Sequence, residues 1–529
     1  MLLTTKTKRR HPLANERLEK ILKRFGQHDS VRDGWTQTWQ DCYDYAIPMR
    51  TGFYAEVAGQ KHTDRIFDST AVQAVQEFAS RMQAGLTPPF AQWFHLEAGS
   101  NIPKEQRSET TRQLEDIGTF VWETLQNSNL DQELHEAYVD LSVGTGAILI
   151  EEGDHISPIK FTAIPQSQLV LGTGPFATID PVYRMREMTI EAMEITWPKA
   201  TISLEMKQMA KDKPDKKFKC LECLERQWQN RKSENYKFAV VCLEPKSLIF
   251  EDEFSGDGAN PLVAFRWSKT AGETYGRGPL FNTLADIKTL NMTVELILQN
   301  AELSVGGIWQ ADDDGILNPD TIELVPGTII PRAPGGRGLE PLQSPANFDV
   351  AQLIIENIQH NVKKALFNET LGAPEGTPMS ATEVHQRMAD LARTIGSAYG
   401  RLHTELVTPM IRRVVYLLKK QGRIEVPLVN GREVKIVNVS PLAQAQHTEN
   451  VSRVARLGEL MNGMFGPQVT NVVLKAEEAG GYLASEIGVP DRLVRNDAER
   501  QQMAQAIAET AEQSQEQAAA QGQLGGLME

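Results

Sequence analysis

Apolar residues recur at helical spacing through most of the first 150 positions. Ala14 to Phe25 and Val31 to Tyr45 each carry one apolar face. The second of these is expected to stop at Ile47-Pro48, because proline disfavours the helical conformation of the residue before it. Asp68-Ser69-Thr70 supplies side-chain oxygens to cap a helix that runs through Val72, Val75, Phe78, Ala79 and Met82 to Gly85. A short strand, Trp93 to Leu96, follows the Pro88-Pro89 break, and two more helices are expected at Lys104 to Asn127 and Asp131 to Val143.

From Gly144 to about Lys269 the period changes from 3.6 to 2. Ala147 to Ile150, Lys160 to Ile164, Val182 to Met188, Phe218 to Trp228, Tyr236 to Leu243 and Leu262 to Trp267 read as strands, and the lysine-rich stretch Lys207 to Lys217 reads as a solvated loop. Helical spacing then returns. The glycine-punctuated turn AGETYGRGP (271–279) leads into a helix of about 25 residues, ~37 Å long, with Leu280, Leu284, Ile287, Leu290, Val294, Ile297 and Ala301 on one face and Gly306-Gly307 at its end. A compact block without helical period, Ile308 to Asn347, contains the acidic triplet Asp312-Asp313-Asp314. A second helix follows with Val350, Leu353, Ile354, Ile358, Val362 and Leu366 on its apolar side.

A Gly-, Pro- and Thr-rich loop, Asn368 to Met379, runs into the capping box Ser380-Ala381-Thr382-Glu383. The helix it opens holds its period from Val384 to Leu417 and contains Pro409, which predicts a kink. A short strand pair around Ile424 to Val437, helices at Asn450 to Phe465 and Gln468 to Ala479, and an Ala-, Gln- and Glu-rich tail complete the chain. The fold class is α+β.

The chain is 529 residues long, beyond the size of a single growing core, so several subdomains are expected. Its formal net charge of -14 argues against a protein that wraps nucleic acid around a basic face, but suits a wall past which a polyanion slides. Four cysteines, Cys42, Cys220, Cys223 and Cys242, are too few for a disulfide framework and fit synthesis in a reducing cytosol. No apolar run approaches the ~20 residues of a membrane span, so no membrane insertion is expected.

Chemistry-bearing motifs are sparse. Walker, Rossmann, HExxH and GxSxG patterns are absent from the sequence. Cys220 and Cys223 form one CxxC, but on a strand the two side chains point to opposite faces and no second pair stands near, so neither a metal nor any other cofactor is expected. Trp35, Trp39, Tyr43 and Tyr45 share helical spacing and read as core. Asp312 to Asp314 is the one carboxylate cluster a metal-dependent nuclease could use, and a solvated loop tip is its plainer reading.

The order helix, compact block, helix, loop, long kinked helix resembles the architecture of the portal (head-to-tail connector) family of short-tailed, podovirus-type bacteriophages. Local stretches are similar as well: STAVQAVQEFASRMQAGLTPPFAQWFHLE (69–97), LSVGTGAILIEEG (141–153), GETYGRGP (272–279) and SATEVHQRMADL (380–391). The resemblance implies a wing of helices and sheet (1–277), a first stem helix (278–305), a β-rich clip (306–347) and a second stem helix (348–367). A tunnel loop (368–379), a wing segment with the long kinked helix (380–445), and a helical crown with the C-terminal tail (446–529) would follow.

It further implies a homo-oligomeric ring of twelve around a channel for double-stranded DNA. Docking partners would be the terminase large subunit, then tail adaptor and tube proteins, with contacts to major capsid, scaffolding and internal core or ejection proteins. DNA-facing candidates are then the tunnel-loop residues Asn368, Glu369, Thr370, Leu371, Gly372, Ala373, Pro374, Glu375, Gly376, Thr377 and Pro378. Lys288, Lys363 and Lys364 are candidate channel lysines, and Asp312, Asp313 and Asp314 would form an acidic band in the clip. The polar side of the first stem helix, Asn282, Asp286, Lys288, Asn291 and Glu295, is expected to face channel or solvent. A tail or head scaffold protein without a channel, and a DNA-processing enzyme, are the alternatives.

Overall fold

The computed structural model describes residues 12–50, 52–54, 63–99, 104–213, 215–229, 234–306, 309–310, 340–341, 348–368, 395–425, 434–439, 441–487 and 503. The two helices expected at the N-terminus are one, α1 (Pro12–Ala46), 35 residues long. The polar stretch from Gly26 to Ser30 reads as a break, but tertiary packing overrides it. The first half of α1 lays Leu18, Ile21, Leu22 and Phe25 on a β-sheet, and the second half buries Trp39, Cys42 and Tyr43 in the main core. Between them, Arg32 donates to the Ser167 carbonyl and ties the middle of the helix down.

Helix α2 (Thr70–Leu86) buries Ala74, Val75, Phe78, Ala79 and Met82, as its spacing predicts. Its N-cap is Ser69, and the Asp68 carboxylate one residue earlier accepts from the Thr70 amide at 2.8 Å. Strand β1 (Phe94–Ala98), α3 (Lys104–Gln126) and α4 (Leu130–Val143) follow. Strands β2 (Thr145–Glu152), β3 (Ile159–Ala163) and β9 (Leu262–Arg266) form a three-stranded antiparallel sheet in the order β3-β2-β9.

A five-stranded antiparallel meander takes β4 (Leu169–Thr173), β5 (Ile179–Met188), β6 (Phe218–Arg226), β7 (Asn235–Cys242) and β8 (Ser247–Ser255) in chain order. Its period of 2 divides its residues between two faces. Tyr183, Leu221, Cys223, Ala239 and Val241 face α1. Met188, Phe218, Cys220, Val240 and Cys242 face α5 (Ile190–Thr196) and α6 (Leu204–Asp212). Cys220 and Cys223 thus fall on opposite faces, as strand geometry requires.

Two expectations need correction here. Strands β4 and β8 were not anticipated: β4 is short, and β8 carries the acidic run Glu251-Asp252-Glu253, which suits the charged edge of a sheet. Part of the expected loop Lys207 to Lys217 is helix α6, because the Ser203 hydroxyl accepts from the Met206 amide and Met206 is fully buried. Strand β12 (Val434–Asn438) pairs with the distant β1, and residues 426–433, where its expected sequence neighbour would fall, lie outside the described residues.

Helices α7 (Pro279–Gly306) and α8 (Phe348–Ala365) run antiparallel. Asn291 of α7 and Gln359 of α8 both bond the Phe67–Asp68 segment, and β10 (Trp309–Gln310) pairs with β11 (Glu340–Pro341) across the far end. The rest of the expected clip, with Asp312 to Asp314, lies outside the described residues.

The long helix is described over 395–420 (α9), and its capping box lies outside the described residues. The kink predicted at Pro409 is a π-turn, His403–Val407, in which the Thr408 amide bonds the His403 carbonyl. The wider turn falls immediately before the residue that has no N–H to give. Helix α10 (Pro441–Val473) bends at Gly466, where φ is +76°, and α11 (Ala476–Ile487) follows. Among the described residues no helix is long and apolar enough to cross a membrane.

The root of the paired helices as candidate functional site

The turn that opens α7 is built by close backbone contact. A Cβ on Gly276 would lie 2.2 Å from the Gly144 carbonyl oxygen, and one on Gly278 would lie 2.0 Å from that of Ser142. Only glycine permits this approach. It lets the Gly278 amide bond the Val143 carbonyl, and the Gly276 amide the Thr145 hydroxyl, both at 2.9 Å. Two of the stretches that carry the family resemblance, 141–153 and 272–279, are therefore locked together.

Tyr275, immediately before Gly276, is fully buried. Its hydroxyl accepts from the Leu171 amide at 2.9 Å, and its ring meets Trp39 edge-on at 4.8 Å. Arg277 pairs with Glu273 and lies over the rings of Trp35 and Phe281. That pairing holds the Glu273 carboxyl below its usual range.

Arg266 closes the root from the other side. Its backbone amide and Nε both donate to Glu405 Oε2, and its Nη2 donates to Oε1 at 2.6 Å. Nη1 donates to the Thr274 carbonyl at 3.0 Å. Glu405 sits in the π-turn of α9, so one buried guanidinium joins the kink of the long helix to the turn that opens α7. About two turns further along, Arg413 donates to the Ile150 and Ala259 carbonyls, and burial pulls it down to about 10. His403, at the start of the π-turn, is also held below its ordinary value by burial.

The sequence-predicted residues fall into different surroundings. Lys288 pairs with Asp41 of α1 at 2.6 Å and leaves 40% of its side chain exposed. Asn291 is buried: its Oδ1 accepts from the Phe67 and Asp68 amides, and its Nδ2 donates to the Ile287 carbonyl. It does not belong to a polar face toward channel or solvent, because those two amides precede α2 and need an acceptor. Lys363 and Lys364 are exposed in the last turn of α8.

There the chain reverses at Phe367, whose φ is +61°. The Phe367 and Asn368 amides return to the Lys364 and Lys363 carbonyls. Asn368 is buried with its Nδ2 on the Ala74 carbonyl, and Arg81 donates to the Phe367 carbonyl. Asn368 is thus an anchor of α8 on α2, a correction to its reading as a DNA-facing residue. Glu369 to Pro378 lie outside the described residues.

Beyond Asn291 the picture changes. Met292 is 62% exposed, Leu296 and Leu298 about half, and on α8 Leu353 is 62% exposed with Ile354 beside it. Met292 and Leu296 lie on the side of α7 away from Leu290 and Val294, so the helix pair carries a second apolar surface that nothing in the chain covers among the described residues. Arg266, Glu405, Tyr275 and Arg81 were not singled out by sequence. Only Tyr275 had a signal, its place inside the turn motif.

A mixed sheet-and-helix body that holds a helix pair by its root, and leaves the outer part bare, is the form of an assembly subunit. The chain belongs to the bacteriophage head to tail connecting protein family, whose model matches residues 18–494. It is a virion component of the junction between head and tail. A probable portal protein of Bordetella phage BPP-1 is 24% identical over 513 residues, 90% of this chain and 88% of that one. The portal protein of Enterobacteria phage T3 is 23% identical over 234 residues, 44% of this chain and 43% of that protein. A chain in the virion of a native gene transfer agent particle overlaps 82% of this chain and 98% of its own length, at 13% identity and a TM-score of 0.35.

Proposed function

We propose that the chain is a portal subunit: twelve copies form a ring at one capsid vertex, and double-stranded DNA enters and leaves through the central channel. Membership of the connector family supports this, and the observation that carries it is the bare apolar surface of the outer helix pair. Met292, Leu296, Leu298, Leu353 and Ile354 find partners when neighbouring copies pack head to tail, a contact that closes into a ring when the rotation allows.

In this reading α7 and α8 are the stem. The segment between them is the clip that meets the terminase large subunit during packaging and tail adaptor and tube proteins afterwards. The wing meets capsid and scaffolding proteins, the crown meets internal core or ejection proteins, and the role is structural, not catalytic. The formal charge of -14 per chain, repeated around the ring, keeps DNA mobile. Lys363 and Lys364 provide sparse, salt-sensitive phosphate contacts beside the tunnel loop, while Asp312 to Asp314 set a negative band below. Because Asn368 is pinned to α2, the DNA-facing candidates of the loop reduce to Glu369 to Pro378.

Deletion of Gly372–Thr377 tests the assignment of the loop. Rings should assemble normally, while DNA packaged per head falls. Packaging at the wild-type level would remove the loop from the mechanism.

A further inference from the structure

Cys220 and Cys242 stand directly opposite each other on β6 and β7. The Leu243 amide donates to the Lys219 carbonyl at 2.9 Å, which makes Lys219–Leu243 a hydrogen-bonded pair. By the alternation of an antiparallel ladder, Cys220–Cys242 is then a non-hydrogen-bonded pair. At such pairs the Cα atoms approach to about 4.5 Å and the side chains share a face. That separation lies within the range a disulfide spans without backbone movement.

Both thiols are fully buried on the face covered by α5 and α6. Cys242 closes its strand, and its Sγ donates to the Glu244 carbonyl in the following turn at 3.3 Å. The hydrogen bond between the two sulfurs pushes the Cys220 thiol up and the Cys242 thiol down. The other two cysteines differ. Cys223 faces α1, with Tyr183 and Ala239 opposite it, and Cys42 lies in the main core. Burial pushes each of these up to about 12.

We propose that Cys220 and Cys242 form an intrachain disulfide once the virion has left the reducing host interior, a redox latch across the five-stranded sheet. Both remain thiols during assembly in the cytosol. With hydrogen peroxide as oxidant, the Cys242 thiolate attacks one peroxide oxygen, the O–O bond breaks, and hydroxide leaves. The resulting sulfenic acid is displaced by Cys220 Sγ, which loses its proton as the S–S bond forms and water departs. Two thiols and one peroxide give one disulfide and two waters.

The experiment is to treat the assembled wild-type protein with dilute hydrogen peroxide, block remaining thiols under denaturing conditions, and map peptides without reductant. The expected result is a peptide joining Cys220 to Cys242 within one chain, with Cys42 and Cys223 alkylated. The oxidised protein should also melt several degrees above the reduced one. Cys242→Ser and Cys220→Ser should each abolish both the linked peptide and the oxidant-dependent rise. Recovery of all four cysteines as alkylated thiols would overturn the proposal, as would a link to Cys223 or a link between subunits. The wild-type map alone decides if either variant fails to fold.

Discussion

The two ends of the α7–α8 pair are both apolar and have opposite surroundings. At the root, Leu280, Ile287, Leu290, Val362 and Leu366 are buried by the chain's own core. Toward the far end, Met292, Leu296, Leu353 and Ile354 stand in the open. The root is thus completed by folding, and in the proposed ring the outer part is completed by association. An apolar residue 62% exposed adds little to the stability of one chain, and gains most when a second copy removes it from water.

The sharpest way to break the root is through its glycines. Gly278→Ala sets a methyl group against the Ser142 carbonyl oxygen, and no flexible side chain stands there to yield. A loss above ~3 kcal/mol is expected in denaturant unfolding of the isolated chain, with little soluble protein at 37 °C. Arg266→Ala should cost about 3 kcal/mol, because Glu405 loses its buried partner and the Thr274 carbonyl its donor. Glu405→Gln, which keeps one of the two accepting oxygens and leaves no buried carboxylate unpaired, should cost less than Arg266→Ala in the same assay.

At the outer end the expected signs separate. Met292→Ser with Leu296→Ser should change the stability of the single chain by less than about 1 kcal/mol while abolishing assembly, read by sedimentation. Lys288→Ala should cost about 0.5 kcal/mol at most, since its pair with Asp41 is partly solvated.

The smallest effect concerns pH. His403 is held below its ordinary value by burial, so its folded form favours the neutral ring. Its contribution is fully present above an unfolded pKa of about 6.5 and is lost as pH falls from there through the lowered folded value. His403→Gln should flatten that part of the stability profile. An unchanged slope would assign it to His28, which burial also lowers.

Much of this was legible in the residues. Helix α2 and both paired helices follow from periodicity, and Gly276 and Gly278 announced a tight turn before α7. Pro409 announced the distortion of the long helix, although its form, a π-turn that carries Glu405 onto Arg266, was not legible. What was hidden is long-range. No local pattern says that Arg266 will meet a carboxylate 139 positions away, or that β12 will pair with β1. The same limit misplaced Asn291 and Asn368. Each is a polar residue on an otherwise ordinary helix or loop, recruited by backbone groups of α2 or the segment before it. Periodicity also grouped Leu353 with Ile358 and Val362, although only the latter two turn toward the core.

The central claim, that the outer helix pair is an interface between copies of the chain, is tested most directly by native mass spectrometry. Wild type should be compared with the variant carrying Met292→Ser and Leu296→Ser. The account predicts a wild-type ring near twelve times 59.0 kDa and a folded monomer for the variant. Rings of wild-type mass from the variant would contradict it.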